Sequence, residues 1–148
     1  MSLADDAAEA RAQGWRTLAA LHARIEDALE RALRREHELS VSEYGALDLL
    51  ARQDGWHLRM AQLANAVVLS QSATTRLVTR LEDRGLLRRY LCPTDRRGIY
   101  TEVTPNGDAL LSLARPTHNA ALTEALAAAA EIPELTPLVA ALAAPPAP

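Results

Sequence analysis

A single cysteine, Cys92, stands in 148 residues, which excludes an internal disulfide framework and a thiolate-rich metal site. Long apolar runs are missing as well. The longest are Ala-rich and interrupted, so no membrane-spanning helix is expected. The first fifteen residues are acidic rather than basic and then hydrophobic; neither a signal peptide nor a membrane partner is expected, and the expected location is the cytoplasm. There is no Gly-rich phosphate loop and no nucleophile elbow, and the four histidines, His22, His37, His57 and His118, are scattered. That inventory argues against an enzyme, a bound metal or a cofactor. Lysine is absent too, since all sixteen basic residues are Arg; beside so much Ala this reads as genome composition.

What is present suits one soluble domain with a real core: 49% apolar and 24% charged residues. A net charge of −3 and a pI near 5.8 argue against nucleic acid if averaged over the chain. The partition says otherwise. From Arg59 to Thr104 there are eight Arg against four carboxylates, a local +4 that leaves −7 for the rest. A basic face on an acidic body steers DNA to one side of a protein.

Within that basic stretch the order of elements predicts a winged helix-turn-helix, a mainly α fold with a small β-hairpin (α+β). A short strand at Leu58 leads into a helix whose apolar side is Met60, Leu63, Ala64 and Val67. Val68-Leu69-Ser70 makes the turn, with Leu69 as a plug between the two helices. The second helix is expected over Gln71–Arg84, capped by the Ser70 hydroxyl. Ala73, Leu77, Val78 and Leu81 form its buried stripe, which leaves Gln71, Ser72, Thr75, Arg76, Thr79 and Asp83 outside, with Thr74 and Arg80 to one side. Short polar groups lead and cations follow. Such a helix suits the major groove, where Gln71, Ser72, Thr74, Thr75 and Thr79 meet base edges and Arg76, Arg80 and Arg84 meet phosphates. Gly85 is expected to end it in a left-handed turn, and Leu86-Leu87 return to the core. A hairpin then has arms Leu87–Leu91 and Ile99–Val103 around a loop from Cys92 to Gly98, with Asp95, Arg96 and Arg97 at its tip. A narrow minor groove favours an inserted guanidinium, which a carboxylate at Asp95 can aim. Thr104-Pro105 starts another helix.

These residues resemble the MarR family (multiple antibiotic resistance regulators) of bacterial winged-helix transcription factors. The resemblance runs through Leu58–Ala64, Ser70–Glu82 and Gly85–Arg89, and through a wing motif read as Asp95, Arg97, Val103, Thr104 and Gly107. It implies that Arg97 enters the minor groove, that Asp95 orients it and that Arg96 contacts the backbone. It also implies a sequence-specific regulator of transcription, most often a repressor, binding double-stranded DNA as a homodimer on an inverted repeat. Relatives bind small phenolic or anionic effectors between the dimer helices and the winged domain; the corresponding candidates here are Trp15, Arg16, His22 and Tyr44. Peroxide-sensing members place their cysteine in the first helix, where this chain has none.

The flanks complete the expected architecture. Trp15, Leu18, His22, Ile25, Leu29 and Ala32 repeat at steps of three and four, a heptad seam that Leu21 and Leu33 widen. His22 on that seam reads as a packed core residue. Ser40 with Glu43 forms a capping box, and Leu39 with Tyr44 a hydrophobic staple, opening a helix that ends at Asp54-Gly55. Pro116 is expected to kink or break the helix that begins at Pro105. A last amphipathic turn holds Leu135, Leu138, Val139 and Leu142. Pro133 and Pro137, with the Ala-rich run, depart from the single long helix of the family. The whole reads as one domain, 1–148, with dimerisation helices at 1–39 and 105–143, the DNA-binding region at 40–104 and a disordered tail at 144–148. Cys92 beside Arg88 and Arg89 is a candidate redox switch. The alternative to DNA binding is a winged-helix module for protein partners.

Overall fold

The computed structural model describes residues 3–148, except for the side chains of residues 95–97. The chain runs α1 (Leu3–His37), α2 (Val41–Ala51), a 3-10 turn (Asp54–Trp56), β1 (His57–Arg59), α3 (Met60–Val67), α4 (Gln71–Asp83), β2 (Leu87–Cys92), β3 (Asp95–Val103), α5 (Pro105–Ala130) and α6 (Thr136–Ala143). The strands form one antiparallel sheet in the order β1-β3-β2. This is a mainly helical fold with a small sheet, and the helix-turn-helix falls where the sequence placed it, with the hairpin after it. No described helix is long and apolar enough to cross a membrane.

Two compact units divide the chain: Leu33–Thr117, and residues up to Ala32 together with His118–Pro148. The first holds the winged helix. Its core joins Leu33 and Leu39 to Tyr44, Leu47 and Leu50 of α2, Leu63 of α3, Leu77, Val78 and Leu81 of α4, Val103 of β3, and Leu111 and Ala114 of α5. Each fully buried leucine contributes about 2 kcal/mol, so this cluster is the platform that fixes α4. In the second unit Leu21, Ala129 and Leu135 are buried, with Ile25, Ile132, Leu138 and Val139 against them.

Local chemistry explains the element ends. Ser40 Oγ accepts from the Glu43 N–H and Glu43 Oε1 accepts from the Ser40 N–H, both at 3.0 Å, so the capping box that starts α2 is complete. Leu39 and Tyr44 both join the core. Arg52 caps the far end of α2, and Asp54–Gly55 belongs to the 3-10 turn beyond it. Ser70 Oγ accepts from the Ala73 N–H at 3.1 Å and starts α4. Gly85, at φ 75°, ends it: the Leu86 N–H reaches the Leu81 carbonyl and the Gly85 N–H the Glu82 carbonyl, a Schellman ending. Thr104 then starts α5 and lays it against that ending. Its hydroxyl accepts from the Gly107 N–H and donates to the Gly85 carbonyl, while its own N–H reaches the Leu86 carbonyl. A methyl group at Gly107 would collide with that Leu86 carbonyl and sit 2.9 Å from Val103 Cγ1; the wing motif ends in glycine because two backbones pass there.

Several expectations are corrected. The hairpin has no seven-residue loop: only Pro93 and Thr94 turn, and β3 already begins at Asp95. Leu91 pairs with Ile99 but Cys92 with Asp95, so Arg96, Arg97 and Gly98 bulge out of the ladder on one strand. Pro116 does not break α5, which continues to Ala130; proline removes only its own N–H bond, and Leu111 and Ala114 anchor the preceding turn in the core. Leu69 is 36% exposed and plugs nothing; Leu63 and Leu77 already fill the space between α3 and α4. On α1 the buried positions are Leu21, Leu29 and Leu33, while Trp15, Leu18 and His22 are exposed. The heptad positions thus divide: Leu29 is buried and Ile25 packs against a core cluster, whereas Trp15, Leu18 and His22 stay exposed. Beyond Ala143 there is neither helix nor strand.

Candidate nucleic-acid interface

Four residues lead the outer face of α4. Gln71, Ser72, Thr75 and Arg76 are exposed over its first two turns, and Arg80 follows one turn later. Arg76 and Arg80 make no hydrogen bond or ion pair with any described residue, so both guanidinium groups face solvent with their donors unspent. A groove separates this face from the hairpin. It is lined by Gln71 and Thr75 of α4, by Arg89 and Ile99 of the hairpin strands and by Met60 of α3.

The hydroxyls that the helical wheel places on or near this face are not equivalent. Thr74 is 1% exposed and donates to the Ser70 carbonyl at 2.9 Å, so it is a core residue and not a base-reading one. Periodicity put it at the edge of the face, where a small side chain satisfied by the preceding turn can turn inward. Thr79 donates to the Thr75 carbonyl and accepts from Arg89 Nη2 at 3.1 Å, which commits it to the hairpin. Thr75 donates to the Gln71 carbonyl, and Ser72 Oγ lies 3.2 Å from Ser70 Oγ. Gln71 and Arg76 keep the most hydrogen-bonding capacity, and an amide and a guanidinium are the side chains best able to read adenine and guanine edges.

Three arginines of the basic stretch are spent on the protein itself. Arg84, expected at a phosphate, donates to the carbonyls of Glu38 at 2.7 Å and His37 at 3.3 Å. Arg88 is paired with Glu102. Arg89 is held by Glu82, whose carboxylate accepts from both the Arg89 backbone N–H and its guanidinium at 2.9 Å. Those two bonds, the side-chain one first, hold the Glu82 carboxyl below the usual carboxylate range. Sequence reasoning missed this brace because its partners lie seven residues apart across a helix end and a strand. Arg88 and Arg89 are therefore committed to carboxylates rather than to Cys92, whose sulfur lies 3.2 Å from Thr94 Oγ1.

The outer face of the sheet carries a second unforeseen feature. Tyr100 stacks on Tyr90 with ring centres 5.8 Å apart, and His57 meets Tyr100 edge-on at 5.3 Å. Arg59 lies over Tyr100 and Arg88 over Tyr90. Pairing of β1 with β3 and of β3 with β2 brings these rings together; alternation along short strands was the one signal in the sequence.

The wing residues Asp95, Arg96 and Arg97 lie outside the described side chains; their backbone belongs to the first part of β3. The candidate effector residues are not assembled by one element. Trp15, Arg16 and His22 lie along α1, where Arg16 bonds Glu9 and Gln13 and His22 Nε2 lies 3.5 Å from Glu26. His22 is exposed, so it is not the packed core residue expected of the seam. Tyr44 is buried in α2, and burial, followed by the charge of Asp48, pushes its hydroxyl pKa up. Among the described residues no group of three or more His, Cys, Asp or Glu is placed to hold a metal.

Comparison with known proteins agrees with this geometry. Residues 37–98 match the model of the MarR family. The chain is 31% identical over 96 residues to the HTH-type transcriptional regulator MhqR of Bacillus subtilis (strain 168), a match covering 65% of each chain, so just under two thirds of that relative's length is spanned. Sco3205 of Streptomyces coelicolor, a MarR family transcriptional regulator solved in complex with DNA, is 31% identical, with 88% of this chain and 86% of that one covered at a TM-score of 0.71. CouR of Rhodococcus jostii RHA1, solved bound to p-coumaroyl-CoA, is 31% identical over 70% of this chain and 71% of its own, with a TM-score of 0.63. Matching in sequence and in fold over most of its length, the chain belongs to the MarR family.

Proposed function

We propose that the chain is a sequence-specific DNA-binding regulator of transcription, a repressor that acts as a homodimer on an inverted-repeat operator. The observation that carries this reading is the exposed row on α4, where the Gln71 and Arg76 side chains make no hydrogen bond with any described residue, beside Arg80. An amide and a guanidinium on a capped helix end match base edges in the major groove, and the next cation matches a phosphate. Arg97, with Asp95 and Arg96, supplies the minor-groove contact that the family resemblance implies. The likeness to Sco3205, a regulator solved with DNA, supports the same partner.

Two-fold symmetry would set the two recognition helices about 34 Å apart, one turn of duplex. The exposed Trp15 and Leu18 on α1 supply apolar surface for a second copy. A small phenolic or anionic effector is part of the proposal, supported by CouR, which was solved with p-coumaroyl-CoA. It would act by favouring a helix spacing that DNA does not accept, lowering affinity by its preference between the two states.

The test is binding of the purified protein to its own upstream intergenic DNA and to a scrambled duplex, across a salt series. Tighter, saturable binding to the native segment is expected, with log affinity falling linearly in log salt. Equal, weak binding to both duplexes would replace this reading with a winged-helix module for protein partners.

A further inference from the structure

We propose that Arg84 is a positioning residue, which sets how deeply α4 enters DNA by gripping the corner between α1 and α2, and that it contacts no phosphate itself. The inference rests on the DNA-binding reading above. By sequence Arg84 continues the series Arg76 and Arg80, and only its partners separate it from them. Its Nη1 donates to the Glu38 carbonyl at 2.7 Å and its Nη2 to the His37 carbonyl at 3.3 Å. Nη1 also lies 3.9 Å from Glu43 Oε2. The first two acceptors belong to the end of α1, where carbonyl groups lack helical partners and the helix dipole is negative. Glu43 accepts the Ser40 N–H at the start of α2. One guanidinium thus joins the last residue of the α4 ending to the end of one helix and the beginning of another.

A grip by two carbonyls and a carboxylate resists both rotation of α4 about its axis and sliding along it. The opposite end of α4 carries Gln71 and Arg76, which must meet base edges within a few tenths of an ångström to be useful. Arg84 stands at the pivot of that motion. Glu38 itself is held at φ 55° with its N–H on the Arg34 carbonyl, so the corner that Arg84 grips is a defined turn. Movement of the α1 end would be passed to α4 through these bonds. Arg80, one turn earlier and without a partner among the described residues, has no such role and serves as the control.

The experiment compares wild type, Arg84→Ala, Arg84→Lys and Arg80→Ala as full chains, by anisotropy on the native duplex across a salt series and by hydrogen exchange without DNA. Arg84→Ala is expected to lose roughly tenfold in affinity with an unchanged salt slope, while Arg84→Lys, which keeps the charge and one carbonyl bond, recovers part of the loss. Arg80→Ala is expected to lower the slope by about one unit. In the free protein Arg84→Ala should speed exchange both at Glu38–Ser40 and in the last turn of α4, a result independent of DNA. If Arg84→Ala does not fold at the assay temperature, Arg84→Lys carries the same comparison. A slope reduced by about one unit in Arg84→Ala would make Arg84 a phosphate contact and overturn the proposal, as would unchanged exchange at the corner. Failure of the wild type to prefer the native duplex would instead overturn the DNA-binding reading and leave the exchange result to decide the grip.

Discussion

Val68 occupies the same place in the ending of α3 that Gly85 occupies in the ending of α4. In both, one N–H reaches back three residues and the next reaches back five: Val68 to Asn65 and Leu69 to Ala64, Gly85 to Glu82 and Leu86 to Leu81. Glycine pays no steric cost in that left-handed turn, but a β-branched side chain does. Val68 sits at φ 57° and is 86% exposed, so it gains little burial in return. Val68→Gly is therefore expected to stabilise the protein by about 1 kcal/mol, read as a melting temperature about 3 °C higher; a lower melting temperature would mean that the valine contributes a contact that outweighs the strain. At this scale the sequence was legible where chemistry is local. The Ser40–Glu43 box, the Ser70 cap and the Thr104-Pro105 start each involve partners within four residues, and all three are present. Arg84 and Thr79 were misread because their partners lie forty-seven, forty-six and ten residues away. A helical wheel gives the face on which a side chain lies, but not what meets it there.

Between elements, the joint that matters for the wing is Glu82 with Arg89. The carboxylate stands on the last turn of α4 and takes both the backbone and the side chain of a β2 residue, while the same guanidinium reaches Thr79. Hairpin and α4 are thereby held as one body. Because the folded pKa of Glu82 lies below its unfolded value, the brace adds stability that is intact above the unfolded carboxylate pKa, about 4.3, and is lost as pH falls through the lower folded value. Glu82→Gln, which keeps the shape but loses the charge, is expected to cost about 1 kcal/mol at pH 7 and to flatten the acid limb of a plot of melting temperature against pH. An acid limb identical to that of the wild type would remove Glu82 from the account. The existence and order of these elements followed from period and turn chemistry, but the shape of the hairpin did not. Pro93 and Gly98 suggested one broad loop, whereas the strands close at Pro93-Thr94 and the surplus residues, Arg96 to Gly98, leave the ladder as a bulge. Pairing between strands decides that, and no local signal encodes it.

Across the whole molecule, charge and apolar surface divide the labour. The basic stretch lies in the unit Leu33–Thr117, and the rest of the chain is acidic. Under the proposed function, with Arg84, Arg88 and Arg89 committed internally, the arginines left for DNA are few, so each should register in the salt dependence. The apolar side chains of α1 tell a complementary story. Leu21, Leu29 and Leu33 are buried, whereas Trp15 at 67% and Leu18 at 49% stay exposed, and the heptad spacing that links Trp15 and Leu18 to Ile25 and Leu29 could not show which of them the chain covers by itself. Under the proposed function the exposed ones meet a second copy, and each dimer presents two wings to one duplex. Removing the guanidinium of Arg97 should then weaken binding to the native duplex and lower the salt slope by about one unit for each subunit engaged. Sequence preference should change little, because a minor-groove contact distinguishes A·T from G·C at most. Sedimentation of Arg97→Ala should match the wild type, since Arg97 belongs to the hairpin and not to any of the helices proposed to pair. Unchanged affinity with an intact dimer would mean that the wing does not grip DNA, and recognition would then rest on Gln71, Arg76 and Arg80 alone.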